Sequence, residues 1–169
     1  MTEVANCNTR AESRGKEGKY LTFALGHEEF ALEILKVREI IGYMDITAVP
    51  RTPDYVKGVI NLRGQVIPVV DLRLKFRMNE QEVTDQTCII VVEIDSGQHK
   101  FNTGIMVDRV SEVLDIQQEQ IEDPPQFGSE MDTDIILGMG KIGNSVKILL
   151  DINRVLSADN LTDLGDIQD

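Results

Sequence analysis

The chain has 169 residues, 41% of them apolar and 27% charged, with 17 Lys and Arg against 29 Asp and Glu. A chain of this size and composition buries about 68–70% of its unfolded surface and folds as a soluble globular protein without disulfide or metal. A net charge of −12 repels phosphate backbones, and no apolar stretch approaches the roughly 20 residues that span a bilayer, so nucleic-acid partners and direct membrane insertion are not expected.

Two cysteines, Cys7 in a polar stretch and Cys88 in an apolar run, do not form a disulfide framework. The first nineteen residues carry no hydrophobic signal segment, so a reducing cytoplasm is the expected compartment. The charge is unevenly placed: residues 78–169 hold nineteen acidic and five basic groups, whereas residues 20–77 are nearly balanced. Such polarity points to two different faces.

Residues 1–18 are polar with Gly15 and Gly18 and read as a flexible arm. From Tyr20 the sequence alternates, predicting strands over 20–25 and 30–34 about a turn at Gly26 to Glu29. Leu35 to Ile41 is short and mixed, and one or two helical turns are expected there. Thr52-Pro53 resembles an N-cap followed by Pro at N1, opening a single helical turn. Strands are predicted over 58–62 and 66–70, joined at Arg63-Gly64. Pro68 cannot donate to a ladder, so it requires an edge or a bulge. Asp71 is expected to cap a short segment from Leu72 to Phe76.

The second half repeats this grammar. Strands are predicted over 87–94 and 101–107, about a turn at Asp95 to Gln98, and over 146–150. Lys36 to Ile40 is echoed by Arg109 to Val113. Gly58 and Val66 through Leu72 are echoed, without a gap, by Gly138 and Val146 through Ile152. Two echoes in the same order suggest an internal duplication. About five short strands per copy would leave long edges in an open sheet, so two small closed barrels packed together are expected. The first should lie mainly in 20–77 and the second mainly in 87–156, within one domain over 19–157. Residues 158–169 read as an acidic tail.

Little in the chain suggests catalysis. Gly138 to Gly143 matches G-x-G-x-x-G, but a β run follows where a dinucleotide site needs a helix, so a glycine-rich hairpin turn is expected. His27 and His99 fall in separate turns without neighbouring ligands, so no metal site and no cofactor are expected. No serine sits in a nucleophile elbow. An enzyme such as a small hydrolase rests on nothing positive, which leaves a protein–protein adaptor.

Lys57-Gly58-Val59-Ile60-Asn61-Leu62-Arg63-Gly64 and Val66-Ile67-Pro68-Val69-Val70-Asp71-Leu72-Arg73 resemble the signature of the CheW family of chemotaxis coupling proteins. Ile34 to Ile40, Gly104 to Leu114 and Gly138-Met139-Gly140 fit the same family, so the resemblance covers roughly 19–157. It implies a mainly all-β fold of two intertwined five-stranded SH3-like barrels with short helices, around a shared core. It implies no catalysis, and a bridge between the cytoplasmic tip of methyl-accepting chemoreceptors and the regulatory domain of the CheA histidine kinase. The protein would then be cytoplasmic and recruited to membrane-anchored receptor arrays. A CheW-like scaffold with a non-flagellar output, in pili or surface sensing, is the alternative. By position, the resemblance marks Glu39 and Arg63 as a signalling pair, with Val37, Gly58, Asn61 and Leu62 around them. It places Cys88, Val107, Val110 and Val113 where the second barrel lines the receptor groove.

Overall fold

The computed structural model describes residues 17–95, 97–124 and 135–157. Residues 1–16 of the arm read over 1–18, the tail read over 158–169, and Cys7, Ser96, Pro125 and Gly128 lie outside the described residues, and Gly18 of that arm already begins a strand. Eleven strands are described: β1 (Gly18–Leu25), β2 (Glu28–Glu33), β3 (Val37–Gly42), β4 (Val56–Leu62), β5 (Gln65–Asp71), β6 (Cys88–Asp95), β7 (Lys100–Val107), β8 (Arg109–Ile116), β9 (Ile121–Glu122), β10 (Ile136–Ile142) and β11 (Ser145–Leu150). Two short helices, α1 (Leu72–Lys75) and α2 (Ile152–Ser157), follow β5 and β11.

The strands form two sheets, ordered β3-β6-β7-β5-β4 and β8-β1-β2-β11-β10-β9. The fold is therefore mainly β, with two SH3-like barrels whose strands interleave. Each barrel takes three or four strands from one copy and a hairpin from the other. Hairpin β6–β7 joins β3, β4 and β5, while β1–β2 joins β8 to β11.

The duplication is visible in the register. The bulge between Val56 and Gly58 is matched by one between Ile136 and Gly138. Parallel pairing of β5 with β7 is matched by parallel pairing of β11 with β2. The isolated bridge Thr47↔Val59 corresponds to the pair Glu122↔Met139.

Exchange of hairpins explains the continuous apolar text of β6. Ile90, Val92 and Ile94 face a core shared by both barrels, together with Leu21, Phe23, Leu32, Ile105 and Leu150. The alternate residues, Ile89 and Val91, face the interior of one barrel with Ile60, Ile67 and Val69. Both faces of β6 are buried, so the usual alternation of polar and apolar residues disappears. Tyr20, Ala31, Ile116 and Leu149 fill the interior of the other barrel.

Several local expectations need correction. Leu35 to Ile41 is not helical beyond a single 3-10 turn over Ile34–Lys36; it continues as β3. Val37, Glu39 and Ile41 are half-buried while Arg38, Ile40 and Gly42 are exposed, and this period of two suits pairing with β6. Thr52 does not cap a helix. Its hydroxyl donates to the Val49 carbonyl at 2.9 Å, and one tight turn, Val56 N–H to Pro53 O at 3.0 Å, leads straight into β4.

Gly138 and Gly140 lie inside β10 rather than in a turn, and only Gly143 is in the hairpin bend, with φ +60°. A Cβ on Gly138 would come within 2.8 Å of Ile121 Cγ2 and 3.1 Å of Glu122 O, so the close passage of β9 requires glycine there.

The cap expected at Asp71 holds, whereas the edge or bulge expected at Pro68 does not. Asp71 caps α1 by accepting the Arg73 N–H at 2.9 Å. Strand β5 lies between β4 and β7, and its register with β4 shifts between Val56 and Gly58. Pro68 faces Val59, whose own N–H and C=O both bond to Thr47, so the missing proline donor removes no β4–β5 bond. It is accommodated on the other side because the β5–β7 ladder begins only at Val69.

Candidate partner-binding surface

The first group of candidate residues surrounds the β4–β5 hairpin. Arg63 and Gly64 have φ +52° and +86°, the two left-handed residues of a type I′ turn. Asn61 Oδ1 accepts the Gly64 N–H at 2.9 Å, so Asn61 shapes the turn. The turn aims Arg63 at Glu39 in the middle of β3. Arg63 Nη1 donates to Glu39 Oε2 at 3.1 Å and Nη2 donates to Oε1, giving a two-pronged pair. The Arg63 hydrogen bond holds the Glu39 carboxyl below its ordinary pKa, and Glu39 in return raises that of Arg63.

Arg63 is 70% exposed at its side chain, so the pair is presented to solvent. Leu62 is half-buried against Ile60 and Ile67. Ile40, Tyr43 and Val66 are exposed apolar side chains on β3 and β5 and just beyond β3.

Gly58 has a purely structural requirement. Its φ is +142°, and a Cβ would lie 2.0 Å from Thr47 O. The bridge Thr47↔Val59 passes too close to allow any side chain.

The second group sits at the seam between the sheets. Cys88 and Val107 face each other on β6 and β7 in the five-stranded sheet, not in the barrel built mainly from the second copy. Only Val110 and Val113, on edge strand β8, belong to that barrel. The difference arises because hairpin β6–β7 is exchanged. Val37, Cys88 and Val110 nevertheless converge, half-buried, on the shared core that contains Val107. Val113 is 49% exposed.

Sequence reasoning missed Arg73 and Asp108. Arg73 Nε and Nη2 donate to Asp108 Oδ1 and Oδ2 at 2.8 and 2.7 Å, and Nη1 donates to the Asn79 carbonyl at 2.9 Å. Asp108 Oδ2 also accepts the Gly26 N–H at 2.7 Å. Burial pushes the Asp108 carboxyl up, but the hydrogen bonds from Arg73 and Gly26 outweigh it and hold the group below its ordinary value. Burial instead wins at Asp71, whose carboxyl is raised. Both Arg73 and Asp108 stand in family-like stretches, but 35 residues separate them, and no spacing rule pairs them.

Among the described residues no group of three or more His, Cys, Asp or Glu is placed to hold a metal. No described helix is long and apolar enough to cross a membrane. What the surface offers is an exposed charge pair, isolated apolar side chains and a two-sheet seam, which are features of protein recognition.

Comparison with known proteins agrees. The family model described as "CheW-like domain" matches residues 19–160. The chain is 41% identical over 150 residues to the chemotaxis protein CheW of Klebsiella aerogenes, covering 89% of this chain and 87% of that one. It is 34% identical to the chemotaxis protein CheW of Bacillus subtilis, covering 84% and 88%. The crystal structure of the scaffolding protein TtCheW from Thermoanaerobacter tengcongensis superposes with a TM-score of 0.74 at 33% identity, covering 85% of this chain and 95% of that one. This chain belongs to the CheW-like domain family.

Proposed function

We propose that the protein is a non-catalytic adaptor that couples the cytoplasmic tip of methyl-accepting chemoreceptors to the regulatory domain of the CheA histidine kinase. An adaptor role in chemotaxis signalling follows from family membership; the identity of the two partners is the finer reading. It acts in the cytoplasm, recruited to membrane-anchored receptor arrays.

The observation that carries this reading is the Glu39–Arg63 pair. Exposed ion pairs add little to folding stability, and a left-handed backbone is disfavoured for any residue with a side chain. Arg63 holds that backbone while presenting its side chain, paired with Glu39, to solvent, where a partner can read it. Val37, Gly58, Asn61 and Leu62 support that surface, while Cys88, Val107, Val110 and Val113 form the receptor-facing seam.

Titration calorimetry of the purified protein tests the reading. It should bind a CheA regulatory domain and a receptor cytoplasmic fragment separately, and both together in a ternary complex. Binding to neither would refute the function.

A further inference from the structure

Val107 ends β7 in the five-stranded sheet and Arg109 begins β8 in the six-stranded sheet, so the chain changes sheets at Asp108 with no intervening loop. Every polar group of Asp108 described at this point is tied to one sheet or the other. Its N–H donates to the Ala24 carbonyl of β1 at 3.1 Å, and its carboxylate accepts the Gly26 N–H from the β1–β2 turn. The same carboxylate is gripped by both prongs of Arg73, which is anchored in α1 beneath the five-stranded sheet. Arg73 in turn holds the Asn79 carbonyl of the segment linking the two copies.

The side chains are only 11% and 21% exposed, yet one flank of the pair is not packed. A cleft of about 610 Å³ opens there between the β1–β2 turn and the linking segment, with Arg73 and Asp108 in its wall. On that flank the two sheets are joined by the directional hydrogen bonds of Asp108 to Ala24, Gly26 and Arg73.

We propose that Arg73 and Asp108 are a positioning pair that sets the angle between the two sheets and thereby the shape of the seam read by the receptor. The residues flanking Asp108 are themselves seam residues, Val107 on one sheet and Val110 on the other, so a rotation at Asp108 displaces them relative to each other. Glu39 and Arg63 lie wholly within the five-stranded sheet and do not depend on that angle. The role in recognition rests on the function proposed above; the role in sheet orientation does not.

Two conservative variants of the full chain test this, each backing the other against a folding failure. Arg73→Lys keeps the charge and loses the planar fork; Asp108→Asn keeps an acceptor for Gly26 and loses the charge. Ile116→Val, in the interior of the six-stranded barrel, serves as a destabilised control. Residual dipolar couplings of backbone amides in β6–β7 against those in β1–β2 report sheet orientation, and calorimetry reports receptor-fragment affinity. The expected result is a changed orientation and an affinity loss of about tenfold in both variants, with neither effect in the control. Unchanged orientation in the folded variants overturns the positioning role. A changed orientation with native affinity overturns its place in recognition. If the native protein itself fails to bind the fragment, the proposed function falls, and the couplings still decide the role of the pair.

Discussion

Glu39 and Arg63 join the two edges of the five-stranded sheet. Glu39 lies on edge strand β3, and Arg63 terminates edge strand β4 at the opposite side of the sheet order. Their paired hydrogen bonds span a gap that the backbone ladder leaves open. Among the described residues the other barrel has no such link. The counterpart of Glu39 is Glu112, whose backbone is bonded to the Thr22 hydroxyl, and the counterpart of Arg63 is Gly143. The two related barrels thus carry unlike surfaces at this position.

Charge reversal separates pairing from simple exposure of an arginine. Arg63→Glu should weaken partner binding while moving the melting temperature by less than about 3 °C. Adding Glu39→Arg should restore part of the binding. A double variant no better than the single one would show that the pair does not act as a unit.

Gly58→Ala should be the most damaging conservative change near the site. A methyl group would lie 2.0 Å from a backbone oxygen and would have to sit at φ +142°, so urea unfolding should show a loss of about 2–5 kcal/mol. Gly138→Ala should cost less, about 1–3 kcal/mol, because its nearest obstacle is a side-chain methyl that can shift. An equal cost at both positions would contradict this reading of the β4 passage.

Asp108 gives the fold an acid sensitivity of defined sign. Its folded pKa is depressed, so its contribution is fully present above the unfolded value of about 3.9 and is lost as pH falls through the folded value. Asp71 is raised by burial and acts oppositely: its contribution is present below about pH 3.9 and is lost as pH rises through its folded value. Asp108→Asn should lower stability at pH 7 by about 1–3 kcal/mol and reduce the acid-side fall. Asp71→Asn should make that fall steeper. Parallel pH profiles for native and Asp108→Asn proteins would refute the linkage.

Thr103 is fully buried on β7 and its hydroxyl has no hydrogen-bond partner among the described residues. Thr103→Val keeps the shape and removes the unsatisfied group, so thermal unfolding should show a gain of about 0.5–1.5 kcal/mol. A loss would mean that the hydroxyl is satisfied in solution.

Most strands were legible because their text is local: alternation in β1, the glycine turn at Arg63-Gly64, the apolar run of β6. β3 was not, because Leu35 to Ile41 contains only one clear turn of alternation, and its strand form depends on pairing with β6 far along the chain. The glycines of β10 misled for a related reason. Gly138 and Gly140 look like turn formers in sequence, yet both lie inside the strand, Gly138 where β9 passes close against it. Of the surface, the Glu39–Arg63 pair was legible only through family resemblance, since 24 residues separate its members. The Arg73–Asp108 node was illegible altogether, because it depends on how the two copies exchange hairpins.

Reconstituted signalling decides whether the protein couples receptors to the kinase. CheA kinase activity would be measured with receptor fragments in lipid-templated arrays, with and without this protein, before and after attractant. Strong kinase activation that attractant suppresses is expected only when the protein is present, with that control lost in Arg63→Glu. Receptor-controlled kinase activity of equal strength without the protein would contradict that coupling.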